Sequence, residues 1–321
     1  MDHRIFDGRL LLSPDAGGGA GATAAVARFA IIGDYGEQNG DFPKELGVPA
    51  FVNAWKPDFI VTLGDNAYSN HDENAFKEDV LDYYGNYIQS NAEDPDGTKT
   101  RFYPVLGNHD YNVSGGGVSS ARVAAYEAAF AVPSGPGGHH YYQFAVAGVR
   151  FFMLDSNLVS TWDGYKVNST QDQWFRQALG AATEKYKIAI FHHSPYNSSA
   201  DNPNDTWMRS WKLEQADLTA VICGHAHIYE RVMKGAMPFI TNGVGGTNLS
   251  TARQPLVDGS VFHYDRTKNT PAAVGKYSRG AILGEARGGG LVLEFWTAGG
   301  KRLDRWPEDA AELSVMPAPA P

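Results

Sequence analysis

Five short apolar runs in this 321-residue chain each end in polar residues that could bind a metal. ARFAII gives way to Gly33-Asp34, FIVTL to GDNAY with Asp65 and Tyr68, and FYPVL to GNHD with Asn108, His109 and Asp110. KIAIF runs into His192-His193, and LTAVIC into GHAH with His225 and His227. Taken one at a time these are ordinary, because Gly tolerates positive φ and Asp bonds its own backbone in a common turn. Turn chemistry predicts no histidine, however, and five of the ten histidines (His109, His192, His193, His225, His227) lie in three of these exits. Two imidazoles one residue apart, as in GHAH, repel when both are protonated and need a reason to stay neutral. The pooled Asp, Tyr, Asn and His donors suit Zn, Fe or Mn, whereas Ca and Mg ask for oxygen alone. They are too many for one tetrahedral ion and fit two ions sharing a carboxylate. His71, in SNHDEN, reads instead as a solvated loop residue, and His139 and His140, after SGPGG, as loop or strand-start residues.

The elements that must position these donors alternate between strand-like and helical periodicity, the pattern of an α/β fold. Val48, Phe51, Val52 and Trp55 have helical spacing before Pro57, and Phe76, Val80, Tyr84 and Ile88 form a second stripe. A further helix is predicted from Thr170, with Gln173 completing a capping box and Trp174, Phe175, Ala178 and Leu179 on the buried side. YYQFAV and VRFFML, joined by Ala147-Gly148, read as a hairpin, as does GLVLEFWTAGGKRLDRW. In open α/β sheets the loops at strand carboxyl ends converge on a rigid frame, so five such exits can face one cavity. The domain reading is a Gly/Ala-rich flexible leader over 1–27, one domain over 28–306 and a flexible tail over 307–321.

Composition narrows the function. The chain is 43% hydrophobic and 20% charged, which suffices for a sizeable core. A single cysteine, Cys223, excludes an intrachain disulfide and a cysteine-built zinc site. A formal charge of -9 disfavours a nucleic acid polymer as partner, while a small anion stays acceptable beside a local cation. No apolar run approaches the roughly 18 residues of a membrane span. Met1 to Pro14 lacks a signal-peptide pattern, which leaves two compartments open: intracellular, or exported if this start conceals an earlier signal. Oligomeric state is not legible.

The ordered set GD, GDxxY, GNH(D/E), a strand-borne His before Pro and an aromatic, and GHxH resembles the calcineurin-like metallophosphoesterase superfamily. Tyr68, three residues after Asp65, and GHAHIYER are most similar to its purple acid phosphatase branch, and HYYQF, FFMLDSN and GKRLDRW extend the likeness across about 28 to 306. The larger plant enzymes carry an N-terminal β-sandwich with no counterpart here, so the short single-domain members are the better comparison. The resemblance implies a four-layer αββα fold of two packed mixed sheets flanked by helices, with a dinuclear centre at one edge. By position it implies Asp34, Tyr68 and His227 on a first metal, Asn108, His192 and His225 on a second, and Asp65 between them. Fe(III) on the phenolate of Tyr68, with Zn, Fe or Mn beside it, is the metal pair so implied.

One ligand is open from the sequence: counting back from Tyr196 selects His192, while the His-x-Pro spacing selects His193. Since KIAIF leads directly into His192, that residue is taken as ligand, leaving His193 to face substrate. The reaction expected is in-line attack of a metal-bound hydroxide on a phosphomonoester. His109 would protonate the leaving alkoxide, Asp110 would orient it and His193 would assist. The alternative is a phosphodiesterase on cyclic nucleotides or lipid head groups, its choice resting on loops 66–75, 111–118 and 197–207, which carry little Lys or Arg. A remote alternative is a non-catalytic metal-binding interaction module, but such decay removes ligands and every ligand position is filled. GVGGTN, residues 243–248, lacks the Lys of a P-loop and reads as a turn bordering the pocket.

Overall fold

The computed structural model describes residues 26–36, 47–68, 76–111, 118–133, 135–158, 164–202, 206–268 and 279–319. The first three strands, β1 (Ala27–Ile32), β2 (Phe59–Thr62) and β3 (Phe102–Tyr103), run parallel side by side. The next seven build a second sheet: β4 (Tyr142–Val146), β5 (Val149–Met153), β6 (Tyr186–His193), β7 (Ala220–Gly224), β8 (Tyr229–Lys234), β9 (Met237–Asn242) and β10 (Ser260–Tyr264). The chain then returns to the first sheet through β11 (Gly280–Arg287), β12 (Gly290–Thr297) and β13 (Arg302–Trp306). The strand orders are β13-β12-β11-β1-β2-β3 and β10-β8-β9-β7-β6-β5-β4. Both sheets are mixed: in the first, parallel β1, β2 and β3 form one half and antiparallel β11, β12 and β13 the other, while in the second the parallel strands β5, β6, β7 and β9 lie at the centre with antiparallel strands outside. Both hairpins form as expected, and Ala147 and Gly148 turn the first of them with φ of 49° and 78°.

An aromatic core cements the two sheets face to face. Tyr103 stacks on Phe144 with centroids 3.8 Å apart, Tyr229 on Phe295 at 4.0 Å, and Phe29 and Phe59 meet Phe151 edge-on. Each such pair joins a strand of one sheet to a strand of the other and adds about 1 kcal/mol beyond the area it buries. Against the outer face of the first sheet lie α1 (Val48–Trp55), an irregular turn over Lys77–Leu81 continuing into α2 (Asp82–Tyr84), and α3 (Ser120–Ala129). Against the outer face of the second lie α4 (Thr170–Ala181) and short helical turns at Trp207–Trp211 and Leu213–Gln215, through Phe175, Trp211 and Leu213. The four layers are thus the αββα arrangement the resemblance implied.

Both apolar stripes are buried as their spacing demands, and Lys56, in the left-handed region at φ 55°, closes α1 just before Pro57. α4 starts at Thr170 as expected, but its cap is Ser169, whose hydroxyl accepts from Asp172 N while Asp172 Oδ2 accepts from Asn168 N. Asp172 therefore takes the place assigned to Gln173. On that helix only Phe175 of the expected face is fully buried, with Trp174, Ala178 and Leu179 half-covered.

The tail expected to be free from 307 is pinned through 315. Leu313 is buried, Ser314 N donates to Glu285 Oε2, and Trp55 Nε1 donates to the Val315 carbonyl. Buried Glu285 and Trp55 would otherwise lack these partners, so the strap completes the first sheet's outer layer. No helix among the described residues is long and apolar enough to cross a membrane.

Candidate metal centre

The carboxyl ends of β1, β2 and β3 in one sheet and of β6 and β7 in the other meet at a single edge of the sandwich. Three donors there, Asp34 (φ 53°), Asp65 (φ 51°) and His225 (φ 68°), sit in the left-handed region and follow a glycine. Non-glycine residues pay strain there, and it persists only where the surroundings enforce it. The glycines answer to crowding: a Cβ on Gly64 would lie 2.7 Å from His192 Nδ1, and one on Gly107 2.2 Å from the Asp65 nitrogen. Glycine in these motifs therefore lets one exit touch the next.

Around His192 the contacts are close. Its Nδ1 lies 2.7 Å from the Leu63 carbonyl, which can only accept, so Nδ1 carries the proton and Nε2 the lone pair. Nε2 in turn faces Asn108 Oδ1 at 3.0 Å, His225 Nδ1 at 3.1 Å and Asp65 Oδ2 at 3.4 Å. A second group gathers at the other end of Asp65's reach. The Tyr68 hydroxyl lies 3.1 Å from Asp34 Oδ1 and 3.4 Å from His227 Nε2, and His227 Nε2 lies 3.5 Å from the same Asp34 oxygen. Donor atoms of Asp34, Asp65 and His192 all fall within 4.8 Å of one another, so Asp65 stands between the two groups. Across the sheets, His225 N donates to Asp34 Oδ2 at 2.9 Å, Gly245 N to the Gly33 carbonyl and Thr247 N to that of Asp34. GVGGTN thus borders the site as a turn.

Lone pairs of one imidazole, one amide and one carboxylate converging on a buried point require positive charge between them. In the protein alone a proton supplies it: burial pushes the His192 imidazole down, but the Asp65 carboxylate outweighs this and raises it to about 9. Burial likewise pushes the Asp65 carboxyl up, and the His192, His109 and His225 imidazoles pull it well below the carboxylate range. His227 is raised because Asp34, by hydrogen bond and charge, overcomes the downward effect of burial. Burial and the Asp34 and Asp65 charges hold the Tyr68 phenol protonated far above its ordinary range. Mixed nitrogen and oxygen donors at these separations suit first-row cations such as Zn, Fe or Mn. The residues present therefore fit a metal centre, and His192 with its carbonyl-bound Nδ1 has the usual form of a histidine ligand.

The remaining candidates divide. His109 stays at the mouth: its side chain is 44% exposed, its ring lies 4.3 Å from that of Tyr68, and its backbone N donates to Asp65 Oδ1 at 2.8 Å. Asp110 does not reach the His109 side chain, which corrects its expected orienting role. Its buried carboxylate accepts from Asn66 N and Nδ2, Ala67 N and Gly107 N, tying the β2 exit to the β3 exit. Burial and the Asp65 charge push that carboxyl up to about 7 against these donors. His193 is buried, its Nδ1 2.9 Å from Ser156 Oγ and its ring 4.6 Å from that of Trp207. Burial, then the charges of His225 and His192, lower it well below the imidazole range. His71 lies outside the described residues. His140 lies in the bend just before β4, as read from the sequence, and is buried between Tyr111 (2.9 Å) and Glu127 (3.1 Å).

Residues that sequence reasoning passed over hold this arrangement. Asn66 accepts from Tyr35 and Thr62 hydroxyls and donates to Val105 O and Asp110. The β5 exit, Asp155-Ser156-Asn157, is a sixth contributor: Asp155 accepts from Tyr111, Ser156 meets His193, and Asn157 donates to Leu106 O. Its place after a strand, in FFMLDSN, was the available signal.

With this geometry in place, comparison with known proteins defines the class. Residues 27–229 match the calcineurin-like phosphoesterase family, and the chain belongs to that family, in its purple acid phosphatase branch. Tartrate-resistant acid phosphatase type 5 of Rattus norvegicus is 26% identical over 278 residues, covering 77% of this chain and 78% of that protein. Probable purple acid phosphatase 20 of Arabidopsis thaliana is 26% identical over 216 residues, covering 64% and 46%. Among solved structures, the purple acid phosphatase PPD1 from yellow lupin (Lupinus luteus) seeds superposes with a TM-score of 0.66 at 16% identity, covering 88% of this chain and 53% of that one. The chain is a metal-dependent phosphatase.

Proposed function

We propose that the chain is a dinuclear phosphomonoesterase whose first metal is held by Asp34, Tyr68 and His227, whose second is held by Asn108, His192 and His225, and whose shared ligand is Asp65. The observation that carries this reading is the position of Asp65, within reach of both donor groups. When bound, such a pair supplies positive charge to the phosphoryl oxygens and acidifies a water to near neutral pH. Everything else falls to the chain's own side chains. Leu63 O keeps His192 in the ligand tautomer, and the Asp110–Asn66 lattice fixes Asp65 and Asn108 relative to each other. His109, exposed at the mouth and held by its backbone to Asp65, is placed to bind a phosphoryl oxygen and donate a proton to the departing alkoxide. The proposed catalytic unit is 28–306, and the proposed substrate a small phosphate ester.

One preparation tests this. Metal quantification should return about two ions per chain, and p-nitrophenyl phosphate should turn over faster than bis-p-nitrophenyl phosphate across pH. Faster diester turnover would replace the monoester assignment alone, and one ion per chain with full activity would reject the shared-ligand reading. In His109→Ala, kcat should fall about 10²- to 10⁴-fold, the range of a general acid, with both ions retained.

A further inference from the structure

Three imidazoles, not two, gather at the second metal position. Donor atoms of His192, His193 and His225 lie within 4.8 Å of one another, and the His193 ring sits 4.5 Å from that of His225 and 4.8 Å from that of His192. We propose that His193 is an additional ligand of the second metal, giving that position a nitrogen-rich shell that favours Zn(II) over Mn(II). This rests on the dinuclear reading and deepens it.

The support is geometric. The His193 ring is buried and fixed on one edge: Ser156 Oγ accepts from its backbone N at 3.0 Å and lies 2.9 Å from its Nδ1. Ser156 is itself held, since its carbonyl accepts from Trp207 Nε1 at 2.9 Å. A hydroxyl oxygen has lone pairs for both His193 donors, and when Nδ1 donates, Nε2 is left as the free lone pair. Nε2 has no hydrogen-bond partner among the described residues, and the ring packs against those of His192, His225 and Trp207. Two nitrogens bound at neighbouring positions to one ion with five or six ligands, at about 2.1 Å, lie roughly 3 Å apart. His192 Nε2 and His225 Nδ1, at 3.1 Å, already meet this, and His193 needs a shift on the order of 1 Å to join them. Imidazole suits Zn, Cu and Ni, while Mn is suited by carboxylate, carbonyl and water, so a third imidazole tilts the position toward the former. The opposite tautomer, with the Ser156 hydroxyl donating to Nδ1, would put a proton on Nε2 and turn His193 into a substrate-facing donor.

Pulsed EPR of Cu(II) at the second position, with the first filled by Zn(II), counts bound imidazoles in the wild-type chain directly: three are expected, and two would overturn the proposal. Competition titrations with Zn(II) and Mn(II) on His193→Gln, which keeps much of the side-chain volume, supply the second readout. The expected result is a loss of about 10- to 100-fold in Zn(II) affinity at one of two sites, with a smaller change for Mn(II). Unchanged Zn(II) affinity with a lowered kcat would overturn it in favour of the substrate-facing role. A wild-type chain that takes up one ion in all would instead strike the dinuclear reading beneath it.

Discussion

At the residue scale the site is a set of lone pairs that need cations, and two predictions follow from who carries the protons. The Tyr68 phenol is held protonated by burial and by Asp34 and Asp65, so only a strongly Lewis-acidic ion displaces that proton. If Fe(III) does so, purified protein absorbs in the visible, and Tyr68→Phe abolishes the band while retaining phosphatase activity above background. A colourless and fully active preparation would remove iron from the first position. For His192 the sign is opposite to that of a carboxylate. Its folded value is raised to about 9 from 6.5, so its stabilisation is complete below 6.5 and lost as pH climbs through 9. Chelator-stripped protein should therefore show a falling Tm between pH 6.5 and 9, and metal-loaded protein should not. Metal should also bind more tightly at the upper end of that window, since it displaces the proton. A stripped-protein Tm that rises over the same window contradicts the assignment.

Elements bring these residues together through the loops after parallel strands, and the loops are tied to one another rather than to solvent. Asp110 is the tie between the β2 and β3 exits, accepting four N–H donors from Asn66, Ala67 and Gly107. Asp110→Ala strands those buried donors, at about 1–3 kcal/mol for each left without a partner. The variant should melt several degrees lower and lose metal, whereas His109→Ala keeps both its Tm and its ions. Equal metal retention in the two variants would return Asp110 to the catalytic list and remove it from the scaffold. The five strand exits, both helical stripes and both hairpins were legible because apolar periodicity and turn glycines are local signals. The Asp110 role was not, since a GNHD tetrapeptide reads the same whether its carboxylate meets a histidine or a neighbouring loop. The shift of the α4 cap has a similar cause: Ser169 and Thr170 are both competent caps, and only the bonds from Asp172 N to Ser169 Oγ and from Asn168 N to the Asp172 carboxylate decide between them.

For the whole molecule, the decisive feature is that two sheets contribute to one site, so their relative position sets the ligand geometry. Far from the site a buried ion pair fixes that position: Arg231 on β8 grips Asp304 on β13 at 2.9 and 3.0 Å, with the Tyr229 hydroxyl donating to the same carboxylate. Asp304→Ala leaves the guanidinium buried with only the exposed Glu308 beside it, and should cost about 3–5 kcal/mol in denaturant unfolding. Metal stoichiometry in the folded variant should stay at the wild-type value, because the strand exits keep their own bonds across the sheets, such as His225 N to Asp34. A loss below 1 kcal/mol would mean that the aromatic core alone sets the sheets' alignment.

The sequence by itself determined which donors exist and that they lie at strand ends, because metal chemistry selects residue types and strand ends are marked by glycine and by the close of an apolar run. It also determined the family, through the order of five motifs. Tertiary structure alone decided which donors meet. His192 lies against Asn108, Asp65 and His225 while His193 is held beside them by Ser156, since the β6–β7 register shifts between Phe191 and His193 and the spacing of letters does not show such an irregularity.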